Sequence, residues 1–268
     1  MRPTLLIALN VYRESVRDKV LYNLVGFAIL LMGGAYLIGQ LTAGQDVKII
    51  KDLGLAATSV FGLFIAVFIG IGLVSKEVEK RSIYGLLAKP IERHHVVLGK
   101  YLGLVLTLAV NLAIMTLALY LVLGYMAWMA GPSAAAAWER PALDPSLLKA
   151  MLLTFVELSV VTAIAVLFST FSTPLLSAAF TSGLFIAGRF SADLRHFNQV
   201  VESPFAVALA RGLYWILPNL EQFDVRSQVV HGQAVTTGYM TLAIGYGLLY
   251  TAALIAMAMF IFSRRDFK

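Results

Sequence analysis

The sequence contains no cysteine in 268 residues and little charge: Asp, Glu, Lys and Arg make up only 13% of it, about half the share of an ordinary soluble domain. The missing thiols exclude structural disulfides, thiolate zinc sites, iron–sulfur clusters and cysteine nucleophiles, and they leave the redox compartment unspecified. The scarcity of charge excludes more. Hydrophobic residues account for 59% of the chain, mean hydropathy is +0.82, and the apolar residues gather in long uncharged runs. Backbone inside hydrocarbon must satisfy its own hydrogen bonds, which for such runs means helices. Composition therefore argues against a soluble domain and predicts an all-α polytopic membrane protein.

A helix needs about 20 mainly apolar residues to cross ~30 Å of hydrocarbon. Six runs bounded by charge, Pro or Gly are read as crossings: residues 20–41, 53–74, 101–124 with room to continue to 129, 150–171, 174–188 and 239–262. The fifth is the shortest. Only Ser172 and Thr173 separate it from the fourth, and Pro174 suits a helix start, so these two are expected to form a tight hairpin. An even number of crossings puts both termini on one side.

Lys and Arg in the flanking segments set the orientation. One side collects thirteen basic residues, in the N-terminal segment, the 76–100 loop and the C-terminus, against six acids; the other holds eight of each, with Glu157 inside a run. The termini and the 76–100 loop are therefore expected on the cytoplasmic side, and the net charge of +6 reflects topology and anionic lipid rather than nucleic acid. Residues 1–19 do not resemble a secretory signal, because Asn10, Arg13, Glu14, Arg17 and Asp18 interrupt their apolar residues. Leu5, Leu9, Tyr12 and Val16 share one helical stripe opposite those polar positions, which predicts an amphipathic helix lying in the interface. On the outer side, residues 189–238 are too long for a simple connection. Within them residues 205–217 are apolar but too short to span, and predict a re-entrant or interfacial helix ended by Pro218.

Few side chains in the apolar runs carry chemistry. Glu157 is the one acid there, about 12 Å beyond Lys149 along a helix; an intramembrane acid serves as proton relay, substrate contact or salt-bridge partner, or makes a packing hydrogen bond. Arg189 closes the fifth run and is expected to snorkel outward. Thr58, Ser59, Thr181 and Ser182 are candidates for lining a path beside Glu157, or for helix packing, and the Gly99-x-x-x-Gly103 pair permits close helix approach. His94, His95, His196 and His231 all fall outside the runs, which argues against paired haem ligation at membrane depth. No metal-ligating or hydrolytic motif stands out.

The cytoplasmic loop is the most informative segment. Its first half can form a short helix on which Ile83, Leu86 and Leu87 would share a face and Glu77 would pair with Arg81, with Pro90 expected to terminate the run. Periodicity leaves open whether this helix lies on the membrane or docks into a soluble partner. The residues Glu77, Glu79, Lys80, Ser82, Ile83, Leu86, Leu87, Lys89, Pro90, Ile91, Arg93 and Leu98-Gly99-Lys100 resemble the loop between spans two and three of ABC-2 type transporter permeases. Arg81-Ser82 stands where Gly-Thr is commoner, a basic variant of the pattern. Weaker likenesses are Arg17-Asp18-Lys19, Leu217-Pro218-Asn219-Leu220, Phe223-Asp224 and Arg264-Arg265-Asp266-Phe267.

That resemblance implies a connecting helix over 1–19, then one six-span transmembrane domain over 20–268 with a coupling helix in the 76–100 loop and short re-entrant helices in the 189–238 segment. It also implies a bacterial inner-membrane location, a second permease copy, and two ATP-binding subunits. Cofactors would then be ATP and Mg²⁺ on those subunits and none on this chain. The only Gly-Lys pair, Gly99-Lys100, is followed by Tyr101 and has no glycine five residues earlier, so the chain carries no phosphate-binding loop and is not itself expected to be an enzyme. Glu77, Glu79, Lys80, Arg81 and Ser82 with Ile83, Leu86 and Leu87 are the expected ATPase-docking surface. The functional expectation is a permease exporting a hydrophobic or amphipathic substrate. The alternatives are an ATP-driven complex acting on an outer-side protein or lipid without transport, and a secondary transporter using Glu157.

Overall fold

A computed structural model describes residues 3–40, 46–79, 93–136, 138, 141–191, 212, 214 and 217–264. Among these the chain is helical, with no strand: α1 Pro3–Val16, α2 Lys19–Gln40, α3 Asp46–Glu79, α4 Arg93–Ala136, α5 Ser146–Ser169, α6 Pro174–Arg189, a 3₁₀ turn Glu221–Phe223, α7 Arg226–Val230 and α8 Thr237–Arg264. Each of the six apolar runs lies largely within one helix. Five of these helices are long and apolar enough to cross a membrane. The fifth run, expected as one of six crossings, forms α6 with 16 residues, about 24 Å at 1.5 Å per residue, which is short of the ~30 Å of hydrocarbon.

The helices outrun the hydropathy. α3 has 34 residues and α4 has 44, about 51 Å and 66 Å, so each continues well past an apolar thickness of ~30 Å. Charge ends a membrane run without ending a helix: Asp46, Lys48, Lys51 and Asp52 are good enough helix residues to open α3 seven positions before the apolar run. Proline and capping chemistry set sharper limits. Pro174 occupies the first turn of α6 after an extended Thr173, and the Asp144 carboxylate accepts the backbone N–H of Ser146 at 2.8 Å where α5 begins.

Apart from Lys149 and Glu157, α5 carries no charge and shows no one-sided apolar stripe, and such a helix belongs inside a bundle. It is the central helix here, packed against α3, α4, α6 and α8, with Leu153, Leu158, Val160, Val161 and Ile164 fully buried. The peripheral helices leave large apolar side chains uncovered, among them Leu30 of α2 (66% exposed), Leu175 of α6 (81%) and Leu249 of α8 (76%). In a membrane these faces meet lipid or another protein rather than water.

α1 packs along the first turns of α4. A Cβ at Gly99 would stand 2.8 Å from Ile7 Cβ, and one at Gly103 would stand 2.7 Å from Val11 Cβ, so only glycine admits the α1 backbone at this distance. Thr4 Oγ1 and His95 Nδ1 join the two helices in a 2.9 Å hydrogen bond. The face that packs carries Ala8, Val11 and Ser15. The expected apolar stripe differs from it: Leu5 is 51% exposed, and Leu9, Tyr12 and Val16 are half-buried. The glycine pair selects the small-residue side of α1 for contact and turns the larger apolar side chains partly outward.

Candidate functional site

The ends of the helices gather the charged residues that the sequence assigns to the outer side. Lys51, almost fully buried, donates through Nζ to the carbonyl oxygen of Pro141 at 2.9 Å and stands 3.8 Å from Asp144 Oδ2. Lys149 Nζ donates to Val235 O at 3.0 Å. Arg226 Nε lies 3.1 Å from Asp52 Oδ1. Each of these four cations, Arg189 included, is tied to an acceptor from another element.

Arg189 sits at the centre. From the last turn of α6 its Nε lies 2.9 Å from Glu157 Oε1 and its Nη2 donates to Glu157 Oε2 at 3.0 Å. Nη1 pairs with Asp224 Oδ2, and Nη2 also reaches Ser59 Oγ on α3 at 3.4 Å. The sequence reading expects this arginine to snorkel outward. It instead turns back along its own helix, because Glu157 in α5 is 2% exposed and a buried carboxylate requires a partner. The α5–α6 hairpin makes the reach possible: Glu157 is twelve residues before the end of α5 and Arg189 fifteen after the start of α6, a difference of about 4.5 Å in height.

Asp224 is positioned by the segment that follows Pro218. Leu220 N–H donates to Gly188 O at 3.1 Å, and Asn219 N–H donates to the Tyr246 hydroxyl of α8 at 2.9 Å. Leu220, Phe223 and Val225 are buried and hold the strap down. Asp224 Oδ1 then accepts the backbone N–H of Arg226 at 3.2 Å, ahead of the short α7.

These groups surround a cleft of about 260 Å³ between α3, α5, α6 and the 224–226 segment. Its charged wall is Glu157, Arg189, Asp224 and Arg226; its apolar wall includes Leu55, Val60 and Phe185, with the Arg189 guanidinium 5.5 Å from the centre of the Phe185 ring. Of the five path candidates, Ser59 and Glu157 line this cleft. Thr58 and Thr181 are fully buried away from it: Thr58 Oγ1 donates to Gly54 O at 2.8 Å, and Thr181 Oγ1 has no hydrogen-bond partner among the described residues. Ser182 is half-buried on α6 and does not line the cleft. Asp52, Asp224 and Arg226 were not among the candidates: Asp52 lies just ahead of a crossing, and Asp224 and Arg226 lie in the outer 189–238 segment, where hydropathy singles out no side chain.

The coupling-surface residues are placed only in part. Glu77 and Glu79 fall in the last turn of α3. Lys80, Arg81, Ser82, Ile83, Leu86 and Leu87 lie outside the described residues, as do residues 192–211 with most of the expected outer helix. Among the described residues no group of three or more His, Asp or Glu is placed to hold a metal ion.

A bundle of long apolar helices around a buried ion pair defines an integral membrane protein. The family model described as ABC-2 family transporter protein matches residues 5–267, nearly the whole chain, and the protein belongs to that family. This confirms the likeness carried by the 76–100 loop and makes the chain a membrane component of transport. No curated protein matches the chain.

Proposed function

We propose that the protein is the permease subunit of an ATP-driven exporter of hydrophobic or amphipathic substrates, paired with a second permease copy and driven by two separate ATP-binding subunits. ATP and Mg²⁺ belong to those subunits; this chain contributes the path and the lever. The end carrying α1, the close of α3 and the start of α4 faces the cytoplasm of a bacterial cell, and the end carrying Arg189, Asp224 and Arg226 faces outward. α6 completes a sixth crossing in the assembled protein.

The observation that carries this reading is the continuity of α3 and α4. α3 ends at Glu79 and α4 begins at Arg93, both run unbroken into the bundle, and α1 is fastened to α4 through Gly99 and Gly103. A force applied there by a closing ATPase pair has rigid elements to act through, and Glu77, Glu79, Lys80 and Arg81 supply the charge for docking, with Ile83, Leu86 and Leu87 as the packed face. The cleft, with Glu157 and Ser59 on its wall, is the part of the substrate path that lies within one chain. Coupling requires contacts that differ between the two states of the transporter.

The test is co-reconstitution with the ATPase encoded nearest to this chain. The double variant Glu77→Lys, Glu79→Lys is expected to insert normally and to lose permease-stimulated ATP hydrolysis. Stimulation equal to that of the parent chain refutes the docking assignment.

A further inference from the structure

The charged cluster at the cleft, counted with the Asp52 that pairs with Arg226 at its rim, holds one carboxylate more than it holds guanidinium groups. Among the described residues the side chains on its charged wall and their direct partner are three carboxylates (Asp52, Glu157 and Asp224) and two guanidinium groups (Arg189 and Arg226). Three of the N–H groups of Arg189 are hydrogen-bonded, to Asp224, Ser59 and Glu157, and its Nε stands against Glu157 Oε1 in ionic contact. The acceptors are less occupied. Glu157 Oε1 is buried and has Nε of Arg189 in ionic contact at 2.9 Å but no aligned hydrogen bond, and each carboxylate oxygen offers two lone pairs. Facing these groups, Leu55, Val60 and Phe185 form an apolar wall. A phenyl face beside carboxylates favours a cation over an anion.

We propose that this cleft binds the head of an amphipathic cation, an ammonium group with N–H donors on an apolar body. The ammonium takes the open lone pairs of Glu157 and Asp224, and the apolar body lies against Phe185, Leu55 and Val60. An anionic head would meet guanidinium groups whose charge is already paired with carboxylates, in a cluster that holds one carboxylate more than it holds guanidinium groups. The inference rests on the reading of the cleft as part of the transport path and narrows the substrate class.

The experiment measures equilibrium binding of octylammonium, octanoate and octanol, three probes with one tail, to the full chain in lipid nanodiscs, corrected with empty nanodiscs and without ATPase or nucleotide. Octylammonium is expected to bind saturably, at least about tenfold tighter than octanoate or octanol. Asp224→Asn removes the surplus charge while leaving the Glu157–Arg189 pair intact, and is expected to weaken octylammonium binding about tenfold. Glu157→Gln is expected to do the same wherever that variant folds. Equal uptake of all three probes, preference for octanoate, or unchanged affinity in Asp224→Asn overturns the proposal. A chain that binds octylammonium but never stimulates its ATPase sinks the exporter reading and leaves this site standing; the opposite pair of results sinks only the site.

Discussion

Glu157 and Arg189, thirty-two residues apart on the two arms of one hairpin, form a two-point contact at 2.9 and 3.0 Å inside the bundle. Replacing Arg189 by Leu leaves the carboxylate buried and unpaired, and breaking such a pair from one side costs about 3–5 kcal/mol. The variant is expected to lower the thermal-unfolding midpoint of the purified chain markedly. The double variant Arg189→Leu, Glu157→Leu removes both charges and is expected to recover most of that loss, as read in the same melting assay.

Gly103 predicts a second asymmetry. Gly103→Val drives a side chain into Val11 and the α1 backbone, and overpacking of this kind costs about 1–3 kcal/mol. Hydrogen exchange of α1 amides is expected to rise in this variant while α5 amides stay protected. Gly183→Ala, whose new methyl meets nothing within 4 Å, is the control and is expected to leave α1 exchange unchanged.

Lys51 fastens the segment after α4 to the start of α3. Lys51→Met removes the donor to Pro141 O and leaves a carbonyl without that hydrogen bond, a loss of about 1–3 kcal/mol where the group is buried. Faster amide exchange over residues 142–148 is the expected readout, with the Glu157 region unaffected.

The absence of cysteine makes orientation directly measurable. Single replacements Ser82→Cys and Ser227→Cys, each the only thiol in its chain, are expected to react with a membrane-impermeant maleimide from opposite sides: Ser82→Cys from the cytoplasm and Ser227→Cys from outside. Reaction of both from one side contradicts the assigned topology.

Much of the architecture is legible in hydropathy because the membrane leaves helices as the only way to bury apolar backbone. Pro174 marks the start of α6, as its fixed φ suits a first helical turn. Helix ends are less legible, since α3 continues through Asp46–Asp52 and Lys76–Glu79, where hydropathy reports solvent but the backbone remains helical. The α1 contact is half legible: the sequence offers the glycine pair but not its partner, because Leu5 and Leu9 draw attention to a face that stays partly uncovered. Glu157 is legible as an anomaly in an apolar run, and its partner follows only from hairpin register, which aligns positions 157 and 189. Asp224 is set by the strap across Gly188, a contact whose signal is three-dimensional.

α3 runs without interruption from Asp46 to Glu79. Asp52 and Glu77 are twenty-five residues apart on that one rod, about 37 Å, and Asp52 grips Arg226 at the rim of the cleft. In the proposed transporter, a tilt imposed where the rod emerges at one side would be delivered as a displacement of that grip at the other, with no chain of relayed contacts between them, because both ends are mounted on the same beam.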